Sequence, residues 1–353
     1  MGHARHLIVT IEQLFKSSAG HFARLGHLIQ NNKTFQRQLI RINVDEAHSI
    51  HTAGIPLYGL PAFRPAWGKL DELKVQVLLS NKIRWKAFSA TFPRHILRTV
   101  EKKILKPDYV SIRLMSNRPN TIYATHQVHG SIEDLENYEC FLTKPFDFHS
   151  QPHVLIFVDN KDLTSKIARH LDASLPPEYR GRGIVKHYHS VMSEDYLEQT
   201  HESFVKEDEK CRILVATSGE SVVSTIILRQ SNMFYEDFQQ GIDFPNVKIV
   251  CTTGLPSTLV DLLQRAGRAL RQSMETALFV LFYEAWALEI KETDYTGDKS
   301  DPDRPRNDLR LGSRRPERAP LSAIQLIQLK TCLRLFFALY LDDTSPEGEI
   351  LLL

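Results

Sequence analysis

Apolar runs of strand length recur along this chain, each set against a stretch of helical periodicity, and that alternation is what most constrains its fold. HVLIFVDN (153–160) reads as a buried strand, because a run with no polar side fits a sheet covered on both faces. DLTSKIARHLDASL follows as a helix opened by Asp162, IVKHYHS as a strand, and MSEDYLEQTHESFVKED as a helix capped by Ser193. CRILVAT and VKIVCTTGL then read as strands, TLVDLLQRAGRALRQ as a helix, and TALFVLFY as the strand that closes the sheet. Strands separated by helices imply crossovers, and crossovers imply a parallel sheet.

The first 115 or so residues show the same alternation. LIVT (7–10) and LIRINV (39–44) read as short buried strands, with helical spacing between them. A further strand is expected at 85–89, a stop at Pro93, a short amphipathic helix in HILRTVEKKIL and a strand in YVSIRL. Two successive α/β units follow from this, divided as 1–130 and 131–288. Residues 289–320 are polar, charged and proline-containing, and read as a solvated linker. LSAIQLIQLKTCLRLFFALYL, within 321–353, reads as one last helix with an apolar face wide enough to dock.

Charge does not announce a partner. The net charge of +2 leaves room only for a local basic groove, set by how the 44 Lys and Arg residues are arranged. The four cysteines, Cys140, Cys211, Cys251 and Cys332, stand singly, so neither a metal site nor a disulfide framework is readable and a reducing compartment is expected. No apolar run approaches the roughly 20 residues that span a bilayer. The N-terminus shows neither a signal-peptide apolar core nor the Ser or Thr of a myristoylation signal.

INVDEAHSI, residues 42–50, carries the chemistry. An acid at the tip of a strand, followed by Glu, is what phosphoryl transfer to water requires. Downstream lie Ser89-Ala90-Thr91, ILVAT at 213–217, GIDFPNV at 241–247 and QRAGRALR at 264–271. Each is short, and their order and spacing are the signal.

The set resembles the superfamily 2 helicases and, more narrowly, the RecQ-like DNA helicases. FRPAWGKL (63–70), YHSVMSEDYLEQTHESF (188–204) and GIDFPNVKIVCTTGLPSTLVDLLQRAGRALR (241–271) carry the narrower likeness, which covers roughly residues 5–285. The resemblance implies two RecA-like domains of the P-loop NTPase type, the first incomplete, with a helical C-terminal tail. It implies an ATP-dependent 3′–5′ DNA helicase, with ATP and Mg²⁺ as cofactors, acting on single-stranded DNA or a duplex junction in recombination and repair. A nuclear location follows from the family, with RRPER at 314–318 a weak basic cluster.

Carried over by position, Asp45 would hold Mg²⁺ through water and Glu46 would orient and deprotonate the attacking water. His48, Ser89, Thr91 and Asp243 would couple nucleotide state to DNA contacts. Gln264, Arg268 and Arg271, four and three apart, would share one helical face toward the family's cleft, where Arg stabilises charge on the transferring phosphate. Thr10, Thr217 and the loop after Val158 would meet DNA phosphates.

The chain also departs from that pattern. GxxxxGK(S/T), the loop whose backbone cradles phosphates, occurs nowhere in the 353 residues. By resemblance the chain therefore reads as starting after the phosphate loop, with a first sheet that exposes edges and apolar faces. The DNA-sensing aromatic expected after DEAHSI is replaced by HTAG; Tyr58, Phe63 and Trp67 are the candidates nearby, with core packing the other reading of each. Residues 219–240 interrupt motif V and read as an insertion, such as a retained intron would leave. TCLRLFFALYLDDTSPEG resembles the opening of the family's zinc-binding subdomain, but the remaining ligands do not follow. No zinc is expected, and Cys332 reads as a buried helix residue. Three functions stay open: a helicase, a nucleic-acid-binding relic without hydrolysis, and, less favoured by FRPAWGKL, a DEAH-type RNA helicase.

Overall fold

The computed structural model describes residues 6–15, 22–77, 83–206, 210–217, 246–270 and 275–343. The chain divides into two compact units. One comprises Met1–Ser116, Gly297–Ser313 and Phe337–Leu353, and the other Asn117–Thr296 and Arg314–Phe336.

The second unit is built on a six-stranded sheet. Its strands are β3 (Thr121–Gln127), β4 (His153–Val158), β5 (Val185–Tyr188), β6 (Ile213–Ala216), β7 (Val247–Thr253) and β8 (Ala277–Tyr283), in the order β3-β8-β7-β4-β6-β5. Every pairing is parallel, as the alternation requires. The central strands are the continuously apolar ones: Val154, Ile156, Ile213, Val215 and Val250 are fully buried. β8 does not close the sheet, because TIYATHQ pairs beside it from Thr121↔Ala277 to Gln127↔Tyr283. Strand β3 lies at an edge and is only partly covered, so it needs no apolar run and gives little sequence signal.

Helix Lys161–Ala173 covers the sheet with Leu163, Thr164, Ile167, Ala168 and Leu171. Its cap is Asn160, whose side chain accepts from the Leu163 amide at 2.9 Å, and not Asp162, which sits in the first turn. Helix Glu194–Val205 starts at Ser193, as read, with the hydroxyl accepting from the Tyr196 amide. Each cap satisfies one of the amides that a helix start leaves without an intrahelical partner.

In the first unit β1 (Arg41–Val44) and β2 (Arg84–Ala87) pair in parallel, Arg41↔Arg84 to Val44↔Ala87. Its core gathers Ile11, Phe15, Ile29, Val44, Ala47, Ile50, Leu70, Leu73, Ile83, Val100 and Ile104. The strands expected at 7–10 and in YVSIRL do not form: neither stretch joins a sheet among the described residues. Val110, Ile112 and Leu114 are more than four-fifths exposed. A strand exists only where a neighbour supplies its ladder, so alternation of apolar residues alone does not make one.

The expected last helix is two, Leu321–Gln328 and Leu333–Leu341, parted by an extended Leu329 and an exposed 330–332. Each buries its own apolar set, Leu321, Ile324, Leu326 and Ile327 in one and Phe337, Ala338 and Leu341 in the other. Cys332 is exposed just before the second helix, which corrects its reading as a buried helical residue. The polar stretch before these helices is not solvated throughout. Asp303 is 1% exposed, held by the Tyr340 hydroxyl at 2.5 Å and lying 3.3 Å from the His95 ring. Buried polar groups persist where they find such partners.

Candidate functional site

In the first unit the acidic motif is placed by the end of the two-stranded sheet. The Phe88 amide donates to the Val44 carbonyl at 2.9 Å, and the Ala47 amide donates to the Phe88 carbonyl at 2.9 Å. These bonds carry the pairing one step past the strands. They leave Asp45 and Glu46 exposed at the carboxyl end of β1, while Ala47 and His48 turn inward. Glu46 takes a positive φ of 47°, and its amide donates to the Asp45 carboxylate at 2.9 Å. A non-glycine residue held in that region is strained, and such strain gathers at working sites.

His48, Ser89 and Thr91 come together, although 41 residues separate the first two. His48 Nδ1 lies 2.9 Å from Ser89 Oγ and 3.3 Å from Glu46 Oε2. Ser89 Oγ accepts from the Thr91 amide at 3.0 Å and donates to the Thr91 carbonyl at 3.1 Å. The serine proton is thus spent on Thr91, and the carboxylate of Glu46 can only accept. The proton on the imidazole therefore sits on Nδ1, shared toward both. Burial lowers the His48 pKa to about 4, so the ring is neutral near pH 7.

The loop that follows is fixed by a close crossing of glycines. A Cβ on Gly54 would lie 2.5 Å from the Gly68 amide nitrogen, so HTAG and AWGKL approach as only glycine allows. Of the aromatic candidates, Phe63 is 71% exposed. Tyr58 donates to Asp301 at 2.7 Å, and Trp67 is half-buried. Thr10 precedes a short turn, Ile11–Gln13, and its carbonyl accepts from the Gln13 amide.

In the second unit the parallel strands bring Asp159, Tyr188, Thr217 and Gly254 to one edge of the sheet, the carboxyl ends where ligands of open α/β sheets bind. Thr217 is buried there, its amide donating to the Tyr188 carbonyl at 3.0 Å. Helix Leu259–Ala266 starts from Thr258, whose hydroxyl accepts from the Asp261 amide at 3.1 Å. Gln264 is half-buried on this helix. Arg268 is not on it: the helix ends at Ala266, and the Arg268 amide closes a tighter turn onto the Arg265 carbonyl at 3.0 Å. The single helical face expected for 264, 268 and 271 is therefore broken after Gln264. Arg271 and Asp243 lie outside the described residues, as does the insertion read at 219–240.

Arg265 is a residue the motif reading passed over. It is buried, donates to the Asp159 carboxylate at 2.9 Å, and lies over the Phe157 ring at 5.9 Å. It thereby ties the helix to the loop after β4. The sequence signal was an Arg inside an apolar helix face, which needs a partner to be buried.

Residues 133–273 match the family model described as helicase conserved C-terminal domain. A protein of Caenorhabditis elegans named "Putative ATP-dependent DNA helicase Q1" is 26% identical over 243 residues, which cover 69% of this chain and 32% of that protein. The chain thus spans about a third of the length of this curated relative. Among solved structures, Mss116p bound to ssRNA and AMP-PNP aligns with a TM-score of 0.50 at 18% identity, covering 75% of this chain and 47% of that one. The DUF1998 helicase MrfA bound to DNA and AMPPNP aligns with a TM-score of 0.51 at 13% identity, covering 74% and 33%. At these identities the structural matches speak for the fold, a RecA-like parallel α/β sheet. Together with the ordered motifs, the sequence matches support a superfamily 2 helicase, RecQ-like in sequence.

Proposed function

We propose that this chain carries nucleic-acid-binding and ATP-hydrolysing parts of a 3′–5′ DNA helicase. The observation that supports it most is the placing of Asp45 and Glu46 beyond paired parallel strands, with His48 bonded to Ser89 beneath them. Glu46 is the water-orienting base. Asp45, an exposed carboxylate at a strand end, is the hard oxygen donor that Mg²⁺ takes through water. When bound, the ion neutralises charge on the phosphates. By the helicase resemblance, Gln264 and Arg268 act on phosphate charge. Thr217 and the loop after β4 meet the DNA backbone, and Thr10 does so from the first unit. His48 and Ser89 relay the state of Glu46 to Thr91. The DNA assignment rests on the named relative, which is a DNA helicase by its name.

A second reading is a nucleic-acid-binding module that does not hydrolyse ATP. It is favoured by the absence of GxxxxGK(S/T) from the 353 residues, since the glycines of that loop are what let a backbone cradle phosphates. The test is single-strand-stimulated ATP hydrolysis by the folded chain beside Glu46→Gln, with filter binding of DNA and of RNA of the same sequence. Hydrolysis lost in Glu46→Gln supports the first reading. Salt-dependent DNA binding without hydrolysis supports the second. Tighter binding of RNA overturns the DNA assignment.

A further inference from the structure

The turn that carries Arg268 is short, strained and gripped from outside by residues no motif includes. After the helix ends at Ala266, the chain runs through Gly267, Arg268 and Ala269 to Leu270, which has a positive φ of 25°. Ala269 and Leu270 are buried, and the Leu270 amide donates to the Val247 carbonyl at the start of β7. A turn of this kind leaves carbonyls that a continuing helix would have satisfied.

Those carbonyls are taken by the segment that opens the second unit. Arg118 donates through its two terminal nitrogens to the carbonyls of Ala266 at 3.3 Å and Ala269 at 3.0 Å. Asn120 Nδ2 donates to the Leu270 carbonyl at 3.0 Å. The segment is itself held by Arg334, which donates to Asn117 Oδ1 at 2.6 Å and to the carbonyls of Arg118 at 2.8 Å, Pro119 at 3.3 Å and Thr121 at 2.6 Å. The same guanidinium lies 5.6 Å from the centre of the Tyr123 ring. Residues 266–270 are thus fixed on the sheet side by β7 and on the other by a clamp that begins where the second unit begins.

We propose that Arg118 and Asn120 are positioning residues for Arg268, acting through the carbonyls of 266, 269 and 270. The proposal rests on the reading of Arg268 as a phosphate-facing group and names what aims it. A flexible Arg beyond a helix end would sample many directions. One whose backbone is held at three acceptors on either side of it, the carbonyls of 266, 269 and 270, presents its guanidinium from a fixed origin, as preorganised charge stabilisation requires.

The test uses the full chain with Asn120→Asp, which keeps the shape but replaces the donor by an acceptor facing the Leu270 carbonyl. Arg118→Gln, Arg118→Lys and Arg268→Ala stand beside it. Amide exchange over 267–270 is expected to run about fivefold to tenfold faster in Asn120→Asp and Arg118→Gln, the factor one lost hydrogen bond is worth. Exchange in β7 and β8 stays unchanged, and Arg118→Lys, whose donor reaches further than the shorter Gln amide, recovers part of the protection. In DNA-stimulated hydrolysis, Asn120→Asp lowers kcat toward the Arg268→Ala level with KM for ATP unchanged, and the double variant falls no further. Unchanged exchange at the turn, or losses that add in the double variant, would overturn the proposal. A turn that loosens in a parent chain showing no hydrolysis would sink the helicase reading of this chain while leaving the clamp in place.

Discussion

The two units solve the same folding problem with unequal means. In the second, six parallel strands bury both faces, and β4 and β6 are closed off almost entirely. In the first, two strands alternate between exposed and covered positions, with Val44 alone fully inside, and the core is assembled chiefly by helices around them. The first unit also leaves Leu7, Ile8, Ile40, Val110, Ile112 and Leu114 exposed. An isolated strand pair is marginal in water, whereas a sheet of this width is self-sustaining. The acidic motif therefore stands on the less self-sufficient frame, and residues 264–268 stand on the stronger one.

The largest expected effect tests that inequality directly. Ile156 is fully buried at the centre of β4, and Ile156→Ala should cost the second unit about 4 kcal/mol through lost transfer energy and a cavity. Ile42 is half-buried in β1, and Ile42→Ala should cost about 1 kcal/mol, since less of its surface leaves water on folding. Urea unfolding is expected to show two transitions, with Ile156→Ala moving only one of them. A single transition that both variants shift would mean the units share one cooperative core, and the contrast drawn here would fail.

Acid should separate the units next. Burial holds His48 and His51 in the first unit at a pKa of about 4, against an ordinary value of 6.5. An unfolded histidine takes its proton near 6.5, and these two take theirs only near 4 when folded. Between those values the unfolded chain binds the extra protons. The stability held by the neutral rings is present above pH 6.5 and drains as the pH falls toward 4. Each ring is worth on the order of 3 kcal/mol across that window. In the second unit His153 is lowered to about 4 as well, by burial and then by Arg212, and burial also lowers His187, His189 and His201, but these draw on a larger core. Trp67 and Trp85 report on the first unit once Trp286→Phe removes the second unit's tryptophan. Their emission is expected to change at higher pH than the far-ultraviolet signal, which the second unit's elements dominate. Coincident curves would show that the first unit is no weaker than the second.

The same contrast explains what the sequence disclosed. The buried strands of the second unit were legible because a strand covered on both faces must be apolar throughout, as VLIFV is. Edge strand β3 was not, because TIYATHQ is only partly covered and carries no continuous apolar run. The segments 7–10 and 109–114 have strand-like residues without strand partners, and pairing is a property of the neighbour and not of the run. At the site, the grouping of His48 with Ser89 and Thr91 came from the helicase resemblance, and the side chains do meet. The turn at Arg268 did not. Helical spacing continues through QRAGRALR, and the break depends on carbonyls claimed by Arg118 and Asn120, about 150 residues earlier in the chain. The buried Asp303 was likewise hidden, since a charged stretch gives no sign of which carboxylate will find a histidine and a tyrosine.

The smallest effect is the sharpest on function. Ser89→Ala and Thr258→Ala each remove one hydroxyl that holds a backbone amide, Thr91 in the first unit and Asp261 in the second. Each should cost about 1 kcal/mol, the worth of a helix cap or a single net hydrogen bond. Their consequences should then part. Thr258 caps the start of its helix, six residues before Gln264, so loss of its hydroxyl is expected to be absorbed locally. Ser89 also accepts from His48, and without it the Nδ1 proton keeps Glu46, 3.3 Å away, as its acceptor. A carboxylate drawn onto the imidazole is withdrawn from water orientation. Ser89→Ala is therefore expected to lose DNA stimulation of hydrolysis while leaving DNA affinity intact, and Thr258→Ala to change neither. Equal behaviour of the two variants in both assays would reduce the Ser89 bond to a turn-holding contact and remove the link drawn from Glu46 to Thr91.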